Sequence, residues 1–215
     1  IMVKKQKNFI TSLHNSTKRN YLDRMINDKV NCMKVASEYG QDYWDGDRKF
    51  GYGGYNYIPG RWKNLAKDLI LNYSLTEKSN ILDIGCGKGY LLQELKILIP
   101  NLTIHGIDRS KYSISNAHPN IKEFLSIQDA RKILTFNNNE FDLVISLGTF
   151  HNFVIPDLVI AISEMERIGK KKYLMVESYR NKQELFNLQC WALTAQTFFN
   201  QEEWIWFFNQ FKYTG

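Results

Sequence analysis

The chain has 215 residues, 44% of them apolar, which suits one α/β domain with an added segment and would crowd two full domains. It lacks a run of about 18 apolar residues, so no membrane span is expected, and IMVKKQKNF has no apolar core behind its lysines, so no secretion signal is expected. Cys32, Cys86 and Cys190 are odd in number and far apart, which points to a reducing, cytoplasmic compartment and away from a structural metal.

The net charge of +6 is unevenly placed: residues 1–40 carry eight Lys/Arg against three Asp/Glu, whereas from residue 76 onward fifteen of each cancel. Such a basic arm can attract a phosphorylated substrate or nucleic acid, or form a solvated helical face. Residues 1–16 show little periodicity. From Thr17 to about Ser37 the spacing predicts a helix with Tyr21, Met25, Cys32 and Val35 on its buried stripe, Ser16 or Thr17 as cap and Gly40 at its end.

Tyr39 to Trp62, YGQDYWDGDRKFGYGGYNYIPGRW, holds eight of the thirty aromatics and six of the thirteen glycines. That much glycine excludes a helix and the alternation is too poor for a strand, so a structured loop is predicted. Long ordered loops serve as lids or binding loops. As a lid, Tyr43, Trp44, Phe50, Tyr52, Tyr55 and Tyr57 would shield a cationic group by cation–π contact; the alternative is an aromatic plug packing the arm onto the sheet. Pro59-Gly60-Arg61-Trp62 then turns the chain into a helix through Leu65, Ala66, Leu69 and Ile70 to near Tyr73.

The rest is organised around Asn80 to Leu92, NILDIGCGKGYLL. Ile81, Leu82 and Ile84 predict a buried strand, and apolar residues resume at helical spacing from Tyr90. Between them lie Gly85, Cys86, Gly87, Lys88 and Gly89. A strand, glycine turn and helix leave backbone amides free for an electron-rich ligand, with glycine admitting positive φ and close approach. The dinucleotide pattern GxGxxG would need glycine at position 90, which is Tyr90, and the phosphate-loop pattern GxxxxGK[ST] is absent.

Asp83 followed by G-C-G-K-G resembles the first motif of class I S-adenosylmethionine (SAM) methyltransferases. The resemblance covers about residues 60 to 212. It implies an α/β fold with a doubly wound, mostly parallel sheet and helices on both faces, and SAM as cofactor held by Asp83 and the turn residues Gly85, Cys86, Gly87 and Gly89. Residues 1–59 would then be a helical arm and lid, and 60–215 the methyltransferase domain. In the resemblance the helix after Arg61 starts over the cofactor, making Arg61 a candidate partner for the methionine carboxylate.

A helix from Tyr90 to Ile99 closes at Pro100, and a second strand runs from Leu102 to Ile107 into Asp108-Arg109. Asp108 stands 19 residues after Gly89, where a carboxylate can accept from both ribose hydroxyls, leaving Ser110 to cap the next helix. A third strand near Ile121–Ile127 leads to Asp129-Ala130. The resemblance assigns Asp129 to the adenine amino group, with a neighbouring backbone N–H facing the ring; the alternative makes Asp129 the cap of a turn at Arg131-Lys132.

Phe141 to Ser146 is the fourth strand, followed by a loop with His151; FDLVIS with such a loop resembles the family's fourth motif, at the methyl-facing edge. The Asn/Asp-Pro-Pro-aromatic tetrapeptide of amino-directed enzymes is missing, and Ser146, which with Arg109 the resemblance makes a candidate cofactor contact, stands where metal-dependent catechol-type enzymes carry aspartate. Pro156–Ile168 predicts an amphipathic helix stopped by Gly169, a solvated lysine trio follows, and Tyr173–Tyr179 is the fifth strand, placing Glu177 at the edge with His151. Glu184–Phe211 reads as helical, with Asn200 before Glu202-Glu203 resembling the family's helix start. The antiparallel strand pair that usually closes the fold is expected to be missing or trimmed.

The chemistry expected is methyl transfer to a hydroxyl of a small sugar- or phosphate-bearing molecule. His151 is the candidate base, and Glu177 or a lid tyrosine such as Tyr55 would position the acceptor. The Tyr43–Trp62 block also resembles lids of small bacterial SAM enzymes, some linked to surface-polysaccharide building blocks. An RNA methyltransferase, which the near-neutral domain disfavours, and a non-catalytic SAM-binding protein are the other readings. No feature of the sequence speaks to oligomeric state.

Overall fold

Five short apolar runs pair side by side into one all-parallel sheet: β1 (Asn80–Ile84), β2 (Thr103–Asp108), β3 (Leu125–Ile127), β4 (Phe141–Leu147) and β5 (Gly169–Met175). The computed structural model describes residues 6–10 and 20–215; the expected helix caps Ser16 and Thr17 lie outside them. Strand order is β3-β2-β1-β4-β5, so the winding reverses between β1 and β4 and opens a crevice at the strands' carboxyl ends. Register sets Ile81 beside Ile104 on one side and Leu143 on the other.

Alternation along β1 sends Ile81 to one face and Leu82 and Ile84 to the other. The first face is covered by α4 (Lys63–Tyr73) and α5 (Tyr90–Leu98) through Leu65, Leu69, Leu91 and Leu92. The second is covered by α7 (Ile155–Ile168) through Leu158, Ile162 and Met165, and by α9 (Gln201–Gln210) through Trp204 and Phe207. Each fully buried leucine or isoleucine contributes roughly 1.5–3 kcal/mol, so the two faces hold the sheet from both sides. No helix among the described residues is long and apolar enough to cross a membrane.

Several expectations are corrected. The single arm helix is two, α1 (Tyr21–Ile26) and α2 (Lys29–Ser37), because Asp28 takes a left-handed conformation (φ 48°), which a short polar side chain tolerates. Asn20 caps α1, Cys32 is buried, and Met25 is exposed. The third strand begins only at Leu125, after a 3₁₀ turn over Lys122–Phe124.

The fifth strand starts four residues earlier than expected, because pairing with β4 sets its register, Phe141 with Gly169 through to Leu147 with Met175. The lysine trio therefore lies within the strand, and Lys172 is buried, paired with Glu166 at 3.0 Å. Gly169 ends α7 in extended conformation (φ −107°), and the space of its missing Cβ is taken by Val144.

The last helical stretch is also two helices, α8 (Lys182–Trp191) and α9, separated by the non-helical residues 192–200. Asn200 and Glu203 form a reciprocal capping box at the start of α9, satisfying two otherwise orphaned amides.

Candidate cofactor and acceptor site

Gly85, Gly87 and Gly89 all have positive φ (80°, 57° and 77°). The clearance they create is used by the protein itself. A Cβ on Gly85 would meet the Thr149 hydroxyl, and one on Gly87 would sit 2.9 Å from the Trp44 ring. The amides of Gly85 and Cys86 donate to the Ile107 carbonyl, at 2.8 and 3.1 Å, and Gly87 N–H donates to Asp108 Oδ2 at 2.9 Å. Those amides are therefore spent internally, contrary to the expectation that the turn leaves them free for a ligand.

The turn instead fixes Asp108 at the end of β2. Its second oxygen accepts from Ser110 N–H at 2.8 Å, and Ser110 caps α6 (Lys111–Ser115). Burial raises the Asp108 carboxyl, an effect opposed by those two amides. Asp83, one strand over, is pushed up to about 7 by burial and by the charge of Asp108. Asp129 behaves differently: hydrogen bonds from Arg131 hold its carboxyl low, with an ion pair at 2.6 Å, and its Oδ1 also accepts from the Arg131 amide.

A crevice lies over these strand ends. Its floor includes Gly85, Asp108, Asp129 and Ala130, with Arg109 at its border; Gly148, Thr149 and Asn152 form the β4 wall. Its roof is the aromatic segment, folded around the one-turn α3 (Gln41–Trp44): Tyr39, Tyr43, Trp44 and Tyr52 line the space. Trp44 Nε1 donates to Ser110 Oγ at 2.9 Å, and the Arg109 guanidinium lies 5.3 Å from the Tyr39 ring centre. The roof is clasped to the glycine turn by Lys88, which is buried and donates to both Asp45 oxygens (2.8 and 2.7 Å) and to the Tyr55 carbonyl (2.8 Å). Tyr112 OH and Tyr55 N–H also donate to Asp45. Lys88, Asp45, Tyr39 and Gln128 were not singled out in the sequence; for Lys88 the one available signal was its place inside the glycine turn.

Other expected site residues stand elsewhere. Ser146 is fully buried and donates to the Ile84 carbonyl at 2.8 Å, tying β4 to β1. The Cys86 thiol is buried, packed beside Gly106. Tyr55 stacks on Tyr90 with ring centres 5.0 Å apart, within the clasp and outside the crevice lining. Arg61 is exposed and likewise outside that lining.

His151 is buried; its Nδ1 accepts from the Glu177 amide at 3.3 Å, and its carbonyl accepts from Gln196 and Thr197. It thereby joins the loop after β4 to the segment after β5. The Glu177 carbonyl accepts from Trp204 Nε1 at 3.1 Å.

Residues 75–212 match the family described as a methyltransferase domain. Among curated proteins, the chain is 30% identical over 122 residues to the mitochondrial arginine-hydroxylase NDUFAF5 of Mus musculus, covering 54% of this chain and 33% of that protein. It is 31% identical over 113 residues to ribosomal RNA small subunit methyltransferase C of Buchnera aphidicola, covering 51% and 32%. The match thus spans about a third of each of these relatives. The YcgJ protein of Bacillus subtilis shares the fold with a TM-score of 0.54 at 20% identity, over 68% of this chain and 66% of that one. A parallel five-stranded sheet, a glycine turn after β1, an acid closing β2 and a domain match over residues 75–212 place this chain in the class I SAM-dependent methyltransferase family.

Proposed function

We propose that the protein transfers a methyl group from SAM to a small molecule enclosed beneath the aromatic roof, with a hydroxyl as the acceptor. The observation that carries this reading is the crevice itself. It has a buried carboxylate at the end of β2, a second carboxylate at the end of β3, apolar Ile84, Ile107 and Ala130 between them, and four aromatic rings above. The donor set fits SAM. Each Asp108 oxygen accepts one backbone amide, and a carboxylate oxygen has lone pairs for two donors, so both ribose hydroxyls can still be served. Asp129 and the neighbouring Ala130 backbone suit the adenine, and the buried Asp83 suits the amino end of the methionine moiety. When bound, SAM supplies an activated methyl group. The chain's own task is to exclude water, align the acceptor and surround the sulfonium with ring faces.

Within this reading His151 is a positioning residue. Its Nδ1 lone pair is engaged by the Glu177 amide, so it holds together the two loops that face the acceptor. Glu177 orients the acceptor, and Tyr43 stays protonated because burial raises its phenol, so it donates and does not act as a base. The similarity to an rRNA methyltransferase brings RNA to mind, but residues 76–215 are electrically neutral overall and offer little to a phosphate backbone.

Calorimetry with S-adenosylhomocysteine tests the cofactor half of the proposal, and the absence of saturable binding would refute it. Incubation with methyl-labelled SAM and fractionated cell extract tests the acceptor half. Label is expected in the small-molecule fraction; label in RNA or protein alone would overturn that assignment.

A further inference from the structure

Lys88 stands inside the glycine turn, yet its ammonium is given to the roof. An ammonium has three N–H donors, and three roof acceptors receive them: both Asp45 oxygens, at 2.8 and 2.7 Å, and the Tyr55 carbonyl at 2.8 Å. The Tyr55 carbonyl also accepts from Tyr90 OH at 2.9 Å. Asp45 accepts in addition from Tyr112 OH of α6 and from the Tyr55 amide. One carboxylate thereby gathers the turn, α6 and the roof at a single point.

Residues 43–55 are braced as one piece. Tyr52 N–H donates to the Tyr43 carbonyl, and the amides of Gly54 and Tyr55 donate to the Trp44 carbonyl. Asp45 follows Trp44 within this piece, so whatever holds Asp45 holds the indole. The end of the segment is fastened separately, where Glu94 Oε1 accepts from Tyr57 OH at 2.8 Å and from Gly60 N–H at 2.9 Å. At the end of β2 the ties are neutral: Trp44 Nε1 donates to the Ser110 hydroxyl, which donates to the Tyr39 carbonyl.

The position of the indole decides what the roof covers. Its edge lies over Gly87 and its N–H reaches Ser110, the same two residues whose amides Asp108 accepts. Trp44 thus spans the two supports of the carboxylate assigned to the ribose. Asp108 and Asp83 are both buried, at 8% and 4% exposure. A ligand of the size of SAM reaches both acids only with the roof displaced. The Asp45 side chain, by contrast, keeps 24% of its surface exposed, so water can replace the ammonium at its oxygens as the pair parts.

We infer that Lys88 is the latch of the aromatic roof, and that parting of Lys88 from Asp45 is the step that admits SAM and releases S-adenosylhomocysteine. The inference rests on the methyl-transfer reading above and adds to it a positioning residue that acts through the roof. With the pair made, residues 43–55 seal the cofactor's acids from water; with it broken, the braced piece turns about the end held by Glu94. Loop motions of this kind set turnover in many enzymes through product release.

Stopped-flow binding of S-adenosylhomocysteine to the whole chain tests this. Lys88→Met and Asp45→Asn should each raise both the association and the dissociation rate at least about tenfold, with Kd shifting less than either rate, because a charge-assisted tie is lost from the closed roof. Lys88→Arg keeps a cation for Asp45 and should fall between Lys88→Met and the wild type. If the first two variants fail to fold, Tyr112→Phe removes one bond from Asp45 and is expected to speed both rates at least about threefold. Wild-type rates in the folded variants would overturn the inference. So would faster release with no gain in association, which marks a damaged site and not an opened roof. A wild type that binds no S-adenosylhomocysteine overturns the methyl-transfer reading and this inference with it, whereas binding by the wild type with unchanged rates in the variants overturns this inference alone.

Discussion

Asp108 carries more of the site than any other residue, since one carboxylate organises the glycine turn through Gly87, fixes Ser110, and still faces the crevice. Asp108→Ala is expected to weaken S-adenosylhomocysteine by ~1–3 kcal/mol in calorimetry, because two buried hydroxyls lose their acceptor. Gly87→Ala places a side chain at φ 57° against Trp44. Its expected cost is about 1–2 kcal/mol in denaturant unfolding for the left-handed backbone alone. Asp83 brings a pH dependence. Its folded pKa of about 7 lies above the ordinary value of 3.8, so the folded state keeps the proton longer, and stability declines as pH rises between those values. A cationic ligand favours the ionised form. SAM affinity should therefore rise as pH climbs towards 7, by up to about tenfold per pH unit below that value, and Asp83→Asn should flatten the profile.

At the scale of elements, the aromatic segment roofs the crevice. Trp44 and Tyr52 stack with ring planes 9° apart, and Tyr43 and Tyr55 pack around them, so the segment holds its shape through ring contacts despite its glycines. What fastens it to the domain is Asp45 on Lys88 at 2.7 Å. Burial raises the Asp45 carboxyl, but hydrogen bonds from Lys88 and Tyr112 outweigh this and hold it below its ordinary value, so the clasp loosens as acid approaches the folded pKa. Asp45→Ala leaves a buried ammonium without a counter-charge, whereas Lys88→Met removes the charge and keeps the stem. Amide exchange over residues 43–55 should therefore quicken more in Asp45→Ala than in Lys88→Met. At the opposite wall, His151→Gln should leave S-adenosylhomocysteine affinity unchanged and lower turnover, since it loosens the contact with the Glu177 amide.

For the whole molecule, a ligand that bridges domain and lid binds only the folded state. At a hundredfold excess over Kd it should add ~2.7 kcal/mol and raise the melting temperature by several degrees. The succession of strands along the chain, the glycine turn and the positions of the acids at 83, 108 and 129 were legible in the sequence, because a strand buried on both faces and a turn requiring positive φ each restrict residue type locally. The extent of β5 was not, since seven residues of β4 select its register and carry Lys172 into the interior. Nor were the placements of Lys88, Arg24 and Arg48, which depend on partners 43, 167 and 143 positions away, at Asp45 and Trp191. Local chemistry chose the glycine turn; only folding brought a distant aspartate over it and two arginines to one indole, because those contacts join segments that no sequence spacing relates.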